Sequence, residues 1–409
     1  MKRDLIGTLA LAAALCVAAA GLFFMTAQIP AAPPEPAAPA EPAVVEAPSQ
    51  PAPQPAPPVT IRFMAAGDNL IHDNIYRQAA ARTNGRGFDF SPAYQHVEGL
   101  FSGADLRFIN QETIIAERLY ALSGYPQFNS PEALGECVAQ MGFNIVNVAN
   151  NHMFDMGEKG LVAALDFWQS RPGILTIGAW RTEQAMQQPL LVEKDGVTIA
   201  FVPVTEHTNG LGLPIDTPMR YILSHEQALL RQQVELARAS ADFVVLSIHW
   251  GTENSLAVNN NQLELAQRFA DWGVDLVLGH HSHTLQPMEW RTGGSENRTL
   301  VVYSLGNFIS SMSNPQNMLG GVLDLDITKD PKTGKTAITR AQMLPVVTQY
   351  DGAARSEVRV YPLSQYTDAL AGRHGLRADY GYFSLDYLNG IVAQCIPEEF
   401  RPDLAAQGG

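Results

Sequence analysis

The apolar run Gly142–Val146 breaks into Asn147-Val148-Ala149-Asn150-Asn151-His152-Met153-Phe154-Asp155-Met156-Gly157. A helical pattern follows from Glu158 to Ser170, with Leu161, Leu165 and Trp168 on one face. Strand, polar loop and helix in that order put Asn150, Asn151, His152 and Asp155 at the carboxyl end of a strand. Open α/β sheets carry their chemistry at such ends. Asn and Asp also form ordinary turns, so this loop alone has a plain structural reading.

Four other segments end the same way. Val59–Ala65 runs into Gly67-Asp68, and Ala104–Ile109 into Asn110-Gln111-Glu112. Phe243–Ile248 runs into His249-Trp250-Gly251-Thr252-Glu253, and Val274–Leu278 into Gly279-His280-His281-Ser282-His283. One more strand-like run, Leu300–Leu305, is closed by Gly306-Asn307-Phe308. Helical stretches lie between them at Ser91–Phe101, Pro131–Met141, Ser224–Ser240 and Gln262–Trp272, the third opening on Ser224 as its cap. Pro189–Glu193 and Val197–Val204 pair as a hairpin across Asp195-Gly196. Strands alternating with helices predict an α/β fold with helices over the sheet faces. Beyond Gly320 the pattern turns β-like, at Gly321–Ile327 and Ala337–Gln349.

The amino terminus reads as a targeting segment. Lys2 and Arg3 precede an apolar run from Leu5 to Met25, about the roughly 20 residues that span a bilayer. The positive-inside rule leaves the terminus in the cytoplasm and the rest of the chain outside. Residues 1–29 are expected to be a signal anchor, with a cleaved signal peptide (and a secreted domain) as the alternative. Residues 30–58 are almost only Pro, Ala, Glu, Val and Gln, the composition of a semi-rigid spacer. Residues 59–362 are expected to form the domain and 363–409 a carboxyl-terminal extension. Cys137 and Cys395 are the cysteines outside the apolar segment, too few for a disulfide scaffold. A net charge of −14 without a basic cluster argues against nucleic acid as a partner.

Asp68, Glu112, Asn151, His249, His281 and His283 mix carboxylate, amide oxygen and imidazole without a thiolate. Such sets suit catalytic Mn, Fe or Zn rather than structural zinc. Two divalent ions roughly 3.5–4 Å apart would serve a phosphoryl-type reaction. Each residue has a plainer reading too: Asp68 as a turn residue, Glu112 as a helix-start acid. His280, His281 and His283 are harder to explain structurally. Two histidines one residue apart share a face if the backbone is extended, as a chelate requires. His72, His96, His207, His225 and His374 read as surface or supporting histidines.

The blocks Gly67-Asp68, Asn110-Gln111-Glu112, Ala149–His152 with Asp155 and Gly157, His249–Glu253, Gly279–His283 and Tyr303–Phe308 together resemble the CapA family of bacterial capsule and poly-γ-glutamate synthesis proteins. The resemblance covers roughly residues 60–310, in order. That family is similar to calcineurin-like metallophosphoesterases, which implies a four-layer α/β/β/α sandwich and two divalent metal ions. It places Asp68, Glu112, Asn151, His249, His281 and His283 on ligand positions. It puts His152 where a histidine protonates a leaving oxygen, and Asn150, Asp155, Glu253, His280 and Asn307 in supporting positions.

Departures from the pattern are specific. Asp68-Asn69-Leu70 lacks the histidine usual two residues after the first aspartate, Asn110-Gln111-Glu112 replaces a Gly-Asp pair, and Met153 follows His152. They predict unequal metal sites, one of them weak. The implied role is a membrane-tethered, extracytoplasmic protein of the cell envelope. It would be a metal-dependent hydrolase acting on an anionic polymer or a phosphate-containing substrate, together with a polymer synthase. The alternatives are a general metallophosphoesterase on small or lipid-linked phosphates and a non-catalytic polymer-assembly subunit.

Overall fold

The computed structural model describes residues 57–294 and 297–402, together with residue 31. The expected anchor and nearly all of the spacer lie outside the described residues. In chain order the strands begin with β1 (Val59–Asn69), β2 (Leu106–Asn110), β3 (Ile145–Asn147), β4 (Leu175–Ile177), β5 (Leu190–Lys194), β6 (Val197–Thr205) and β7 (Phe243–His249). They continue with β8 (Leu276–His280), β9 (Met288–Thr292), β10 (Arg298–Val302), β11 (Asn307–Ile309), β12 (Leu319–Lys329), β13 (Thr336–Asp351) and β14 (Ser356–Pro362).

Two sheets result. One has eight strands in the order β14-β13-β12-β1-β2-β3-β4, with β11 also paired to β1; the other has six, ordered β5-β6-β7-β8-β10-β9. Each contains a parallel block, β1 to β4 in the first and β6-β7-β8-β10 in the second. Parallel neighbours align their carboxyl ends, so each sheet gathers several strand ends along one edge.

Side-chain alternation separates the layers. In β7, Phe243 and Val245 enter the core shared by both sheets, whereas Val244, Leu246 and Ile248 join a second core. Leu230 and Val234 of helix Gln227–Ser240, with Leu265 and Phe269 of helix Asn260–Asp271, complete that second core. Phe63 of β1 stacks on Phe201 of β6 across the sheets, with ring centres 6.4 Å apart. The outer face of the first sheet is covered by helices Glu132–Gln140 and Gly157–Gln169, which bury Leu134, Val138, Leu161, Leu165 and Trp168. The layers therefore run helix, sheet, sheet, helix, the expected α/β/β/α sandwich.

Local expectations fare unevenly. The β5–β6 hairpin turns through Asp195 (φ 50°) and Gly196 (φ 78°), both left-handed as a tight hairpin turn requires. The stretch Ser91–Phe101 is not one helix but a short helix, Ser91–Tyr94, and a 3₁₀ turn, Glu98–Phe101. Ser224 is no cap: the helix starts at Gln227, whose side chain donates back to the Ser224 carbonyl. Residues beyond Pro362 contribute Phe383, Leu388, Ile391 and Phe400 to the large core. Among the described residues Cys137 and Cys395 are free thiols.

Candidate metal centre

The parallel blocks bring their carboxyl ends together where the two sheets meet. β1 carries Asp68 at its carboxyl end, β2 leads into Glu112, β3 into Asn150–Asp155, β7 ends in His249, and β8 leads into His281 and His283. The closeness at this edge demands glycine twice. A Cβ on Gly67 would lie 2.0 Å from the Gly306 carbonyl oxygen, and one on Gly279 1.9 Å from that of Tyr303. Asn307 does not close the preceding strand. It opens β11, which crosses to the first sheet and pairs with β1, Asp68 facing Asn307 in register.

Contacts across the sheets define the centre. Asn151 Oδ1 lies 2.9 Å from His249 Nε2, and His249 Nε2 lies 3.5 Å from a Glu112 oxygen. His281 Nδ1 is 3.1 Å from His249 Nε2. Asp68 lies 3.4 Å from His283 Nδ1 and 3.5 Å from His280 Nδ1, and it accepts the His281 N–H at 3.3 Å. Asn307 Oδ1 is 3.0 Å from His283 Nδ1. All six expected ligand residues thus converge. Donor atoms of Asp68, Glu112 and His283 lie within 4.8 Å of one another, as do those of Glu253, His281 and His283.

The histidine pair converges by a different route from the one expected. His281 (φ 89°) and His283 (φ 57°) are in the left-handed region, so the segment is not extended. Their rings nevertheless sit 6.0 Å apart. Such a backbone is costly for a residue with a Cβ, and strain of that kind concentrates at functional sites.

Charge and burial fit a cation. Among the described residues neither Glu112 oxygen has a hydrogen-bond partner, although Glu112 is buried. A buried carboxylate without hydrogen bonds is expensive unless a cation meets it. Burial pushes the Glu112 carboxyl well above the ordinary carboxylate range. It also pushes His249 well below the usual histidine value and His281 to about 3, keeping both imidazoles neutral with a lone pair to give. Burial acts in the same sense on His283, but Glu112 and Asp68 outweigh it and raise this histidine to about 10. Asp68 resists its own desolvation because His280 and His283 hold it well below the carboxylate range. The field of the pocket calls for positive charge, and its donors suit a divalent ion.

His152 is set apart from the ligand cluster. Its Nδ1 is 2.8 Å from Asp155 Oδ2, which also accepts the Phe128 N–H at 2.6 Å. The Phe128 ring meets His152 edge-on at 4.8 Å. Nδ1 is thereby committed, leaving Nε2 as the atom able to exchange a proton. Asn150 holds the loop: its Nδ2 donates to the Gln111 carbonyl at 3.0 Å and its Oδ1 accepts the His152 N–H at 3.1 Å. His280 stacks on Phe108 with centres 5.6 Å apart.

Sequence reasoning passes over Asn110 and Asn209 and takes His207 and His72 only as surface or supporting histidines. Asn110 donates to Asp68 at 2.8 Å and accepts from Asn147 at 2.9 Å, so it aims a ligand. His207 lies with Nε2 3.3 Å from His281 Nε2, and Asn209 takes the Asn151 amide at 3.4 Å. His72 is half-buried at the rim, accepting the Ser311 N–H at 3.3 Å and meeting Phe128 edge-on at 5.4 Å. The position of Asn110 as the last residue of a strand was a signal; the other three depend on tertiary closeness. His374, expected at the surface or in support of the site, is buried and caps the turn at Leu376. His96 is half-buried, its ring stacked on Tyr361, and His225 is exposed.

The CapA protein of PGA biosynthesis from Bacillus subtilis is 29% identical over 220 residues, covering 53% of this chain and 56% of that protein. The capsule biosynthesis protein CapA of Bacillus anthracis is 27% identical over 184 residues, covering 44% and 43%. The chain spans about half the length of these curated relatives. A phosphatase from Mycoplasma pneumoniae has a similar solved structure, with 14% identity over 71% of this chain and 94% of that one and a TM-score of 0.43. The family described as bacterial capsule synthesis protein PGA_cap matches residues 62–312, more than half of the sequence and every strand end that builds the centre, so the chain belongs to that family.

Proposed function

We propose that this protein acts in making or exporting a capsular polymer of the poly-γ-glutamate type, through a metal-dependent hydrolase-like centre. The observation that carries the reading is Glu112, a buried carboxylate with no hydrogen bond among the described residues, ringed by Asp68, His249 and His283. Asp68, Glu112, Asn151, His249, His281 and His283 would hold two divalent ions, of Mn, Fe or Zn. When bound, such ions supply Lewis acidity and offset negative charge building on the reacting group. The protein's own contribution is positional: Asn110 aims Asp68, Asn307 lies against His283, and Asp155 fixes His152 so that Nε2 can give a proton to a leaving oxygen.

The amino-terminal order of charge, apolar run and spacer supports a membrane-tethered domain facing outward, beside a polymer synthase. A cellular test separates the readings. In a polymer-producing strain, His283→Ala at wild-type protein level should reduce polymer output strongly. Undiminished output would favour an assembly role. Metal-dependent phosphomonoester hydrolysis by the purified chain, without any effect on polymer, would favour a general phosphoesterase.

A further inference from the structure

The β13–β14 hairpin ends in Arg355, a residue with a left-handed backbone (φ 48°). Its tip is fastened to the helix that follows β1. Asn74 Nδ2 and Gln78 Nε2 donate to the Arg355 carbonyl at 3.1 and 2.8 Å, and Gln78 Oε1 accepts the Val358 N–H at 3.0 Å. One guanidinium nitrogen, Nη1, donates to the Ser311 carbonyl, and the group lies 5.7 Å from the centre of the Tyr350 ring. Among the described residues no carboxylate pairs with Arg355, and Nε and Nη2 have no hydrogen-bond partner. The side chain is half-buried, positioned on both sides, and still has donors to give.

Its place relative to the centre is fixed by two segments running side by side. Asp68 faces Asn307, the Leu70 N–H donates to the Ile309 carbonyl at 3.0 Å, and the Ser311 N–H donates to His72 at 3.3 Å. The inner ends are at the metal centre and the outer end is the Ser311 that Arg355 grips. Ser311 is four residues on from Asn307, a span of at most roughly 14 Å. A second line of contacts runs from His72 through Phe128 to His152, with ring centres 5.4 and 4.8 Å apart.

We propose that Arg355 recognises the substrate, pairing two N–H groups with the two oxygens of a carboxylate on a polyanionic chain, one or two repeats away from the group at the metal centre. This rests on the hydrolase-like reading above. A span of up to roughly 14 Å suits an acceptor that recurs along the ligand, as it does in a polymer with one carboxylate per repeat. A protein of net charge −14 repels a polyanion unless a local cation receives it. A planar guanidinium matches a carboxylate bidentately, which a lysine ammonium cannot do.

The test uses the full-length chain in detergent, loaded with Mn²⁺, and a fluorescent γ-linked glutamate oligomer read by anisotropy. Metal content and melting temperature are measured for each variant. Arg355→Gln should weaken binding about tenfold or more, the usual worth of a charge-assisted pair, at unchanged metal content. Arg355→Lys should recover only part of the loss. Binding by Arg355→Gln within twofold of wild type would overturn the assignment, and full rescue by lysine would overturn the bidentate pairing. Inorganic phosphate displacing the oligomer far more effectively than free glutamate would reassign Arg355 to phosphate. A wild-type chain that holds metal but ignores the oligomer would refute this inference while leaving the metal centre standing.

Discussion

At the scale of single residues, the loop after β3 divides its labour between neighbours. Asn151 faces His249 at 2.9 Å, while His152 is turned toward Asp155 and Phe128. The proposed ligand and the proposed proton donor are thus adjacent in sequence but differently engaged. His152→Ala should lower turnover by roughly 10²–10⁴-fold, the usual worth of a positioned general acid, and leave metal content at the wild-type level. Turnover that survives in the folded, metal-loaded variant would reduce His152 to a packing residue against Phe128. The candidate ligand residues stand out in the sequence because each follows an apolar run, although Asp68 and Glu112 also read as a turn residue and a helix-start acid. His207 and His72 read no further than surface or supporting histidines. His207 meets His281 across 74 positions, and His72 reaches the rim only because the chain after β1 runs beside Asn307–Ser311.

Among the elements, β12 holds the first sheet together through a buried charge. Asp324 on β12 accepts from Arg62 of β1 at 2.9 Å and from Arg340 and Gln342 of β13, each at 2.9 Å. Burial alone would push this carboxyl up, but the hydrogen bonds from Arg62, Arg340 and Gln342 outweigh it and hold it at about 2. A carboxyl held below its ordinary 3.8 adds stability that is complete above that value and disappears as pH falls through about 2. Asp324→Asn should therefore cost on the order of 2 kcal/mol at neutral pH, somewhat less than a fully buried pair because both arginines reach solvent. The gap between variant and wild type should narrow between pH 4 and pH 2, as read by chemical denaturation. A gap that stays constant over that range would show that the arginines do not depend on the charge. Elements as a class were legible where alternation or helical spacing was strong. Ser91–Phe101 was not, because the turn at residues 95–97 divides a stretch whose Tyr94, Val97 and Phe101 are buried without one continuous helix. The left-handed backbones of His281 and His283 also left no trace in the pattern, since no propensity of histidine announces them.

For the whole molecule, sheets with helices over their faces were legible because parallel strands buried on both faces read as continuous apolar runs, whereas the four layers followed from the family resemblance. The pairing of the two sheets was not legible, since the contacts that join them, such as Phe63 with Phe201, are distant in sequence. The amino-terminal charge order predicts that the folded part faces outward. Protease added to intact cells, or to spheroplasts where an outer membrane intervenes, should remove it, and complete protection until lysis would reverse that topology. What joins fold and chemistry is the claim that five strand ends from two sheets build one divalent-metal centre. Elemental analysis of the purified full-length chain beside His281→Ala, His283→Ala and Glu112→Gln tests that claim most directly. The account predicts bound divalent metal in the wild type and a marked fall in each variant that still melts cooperatively; equal metal content in all four proteins would contradict it.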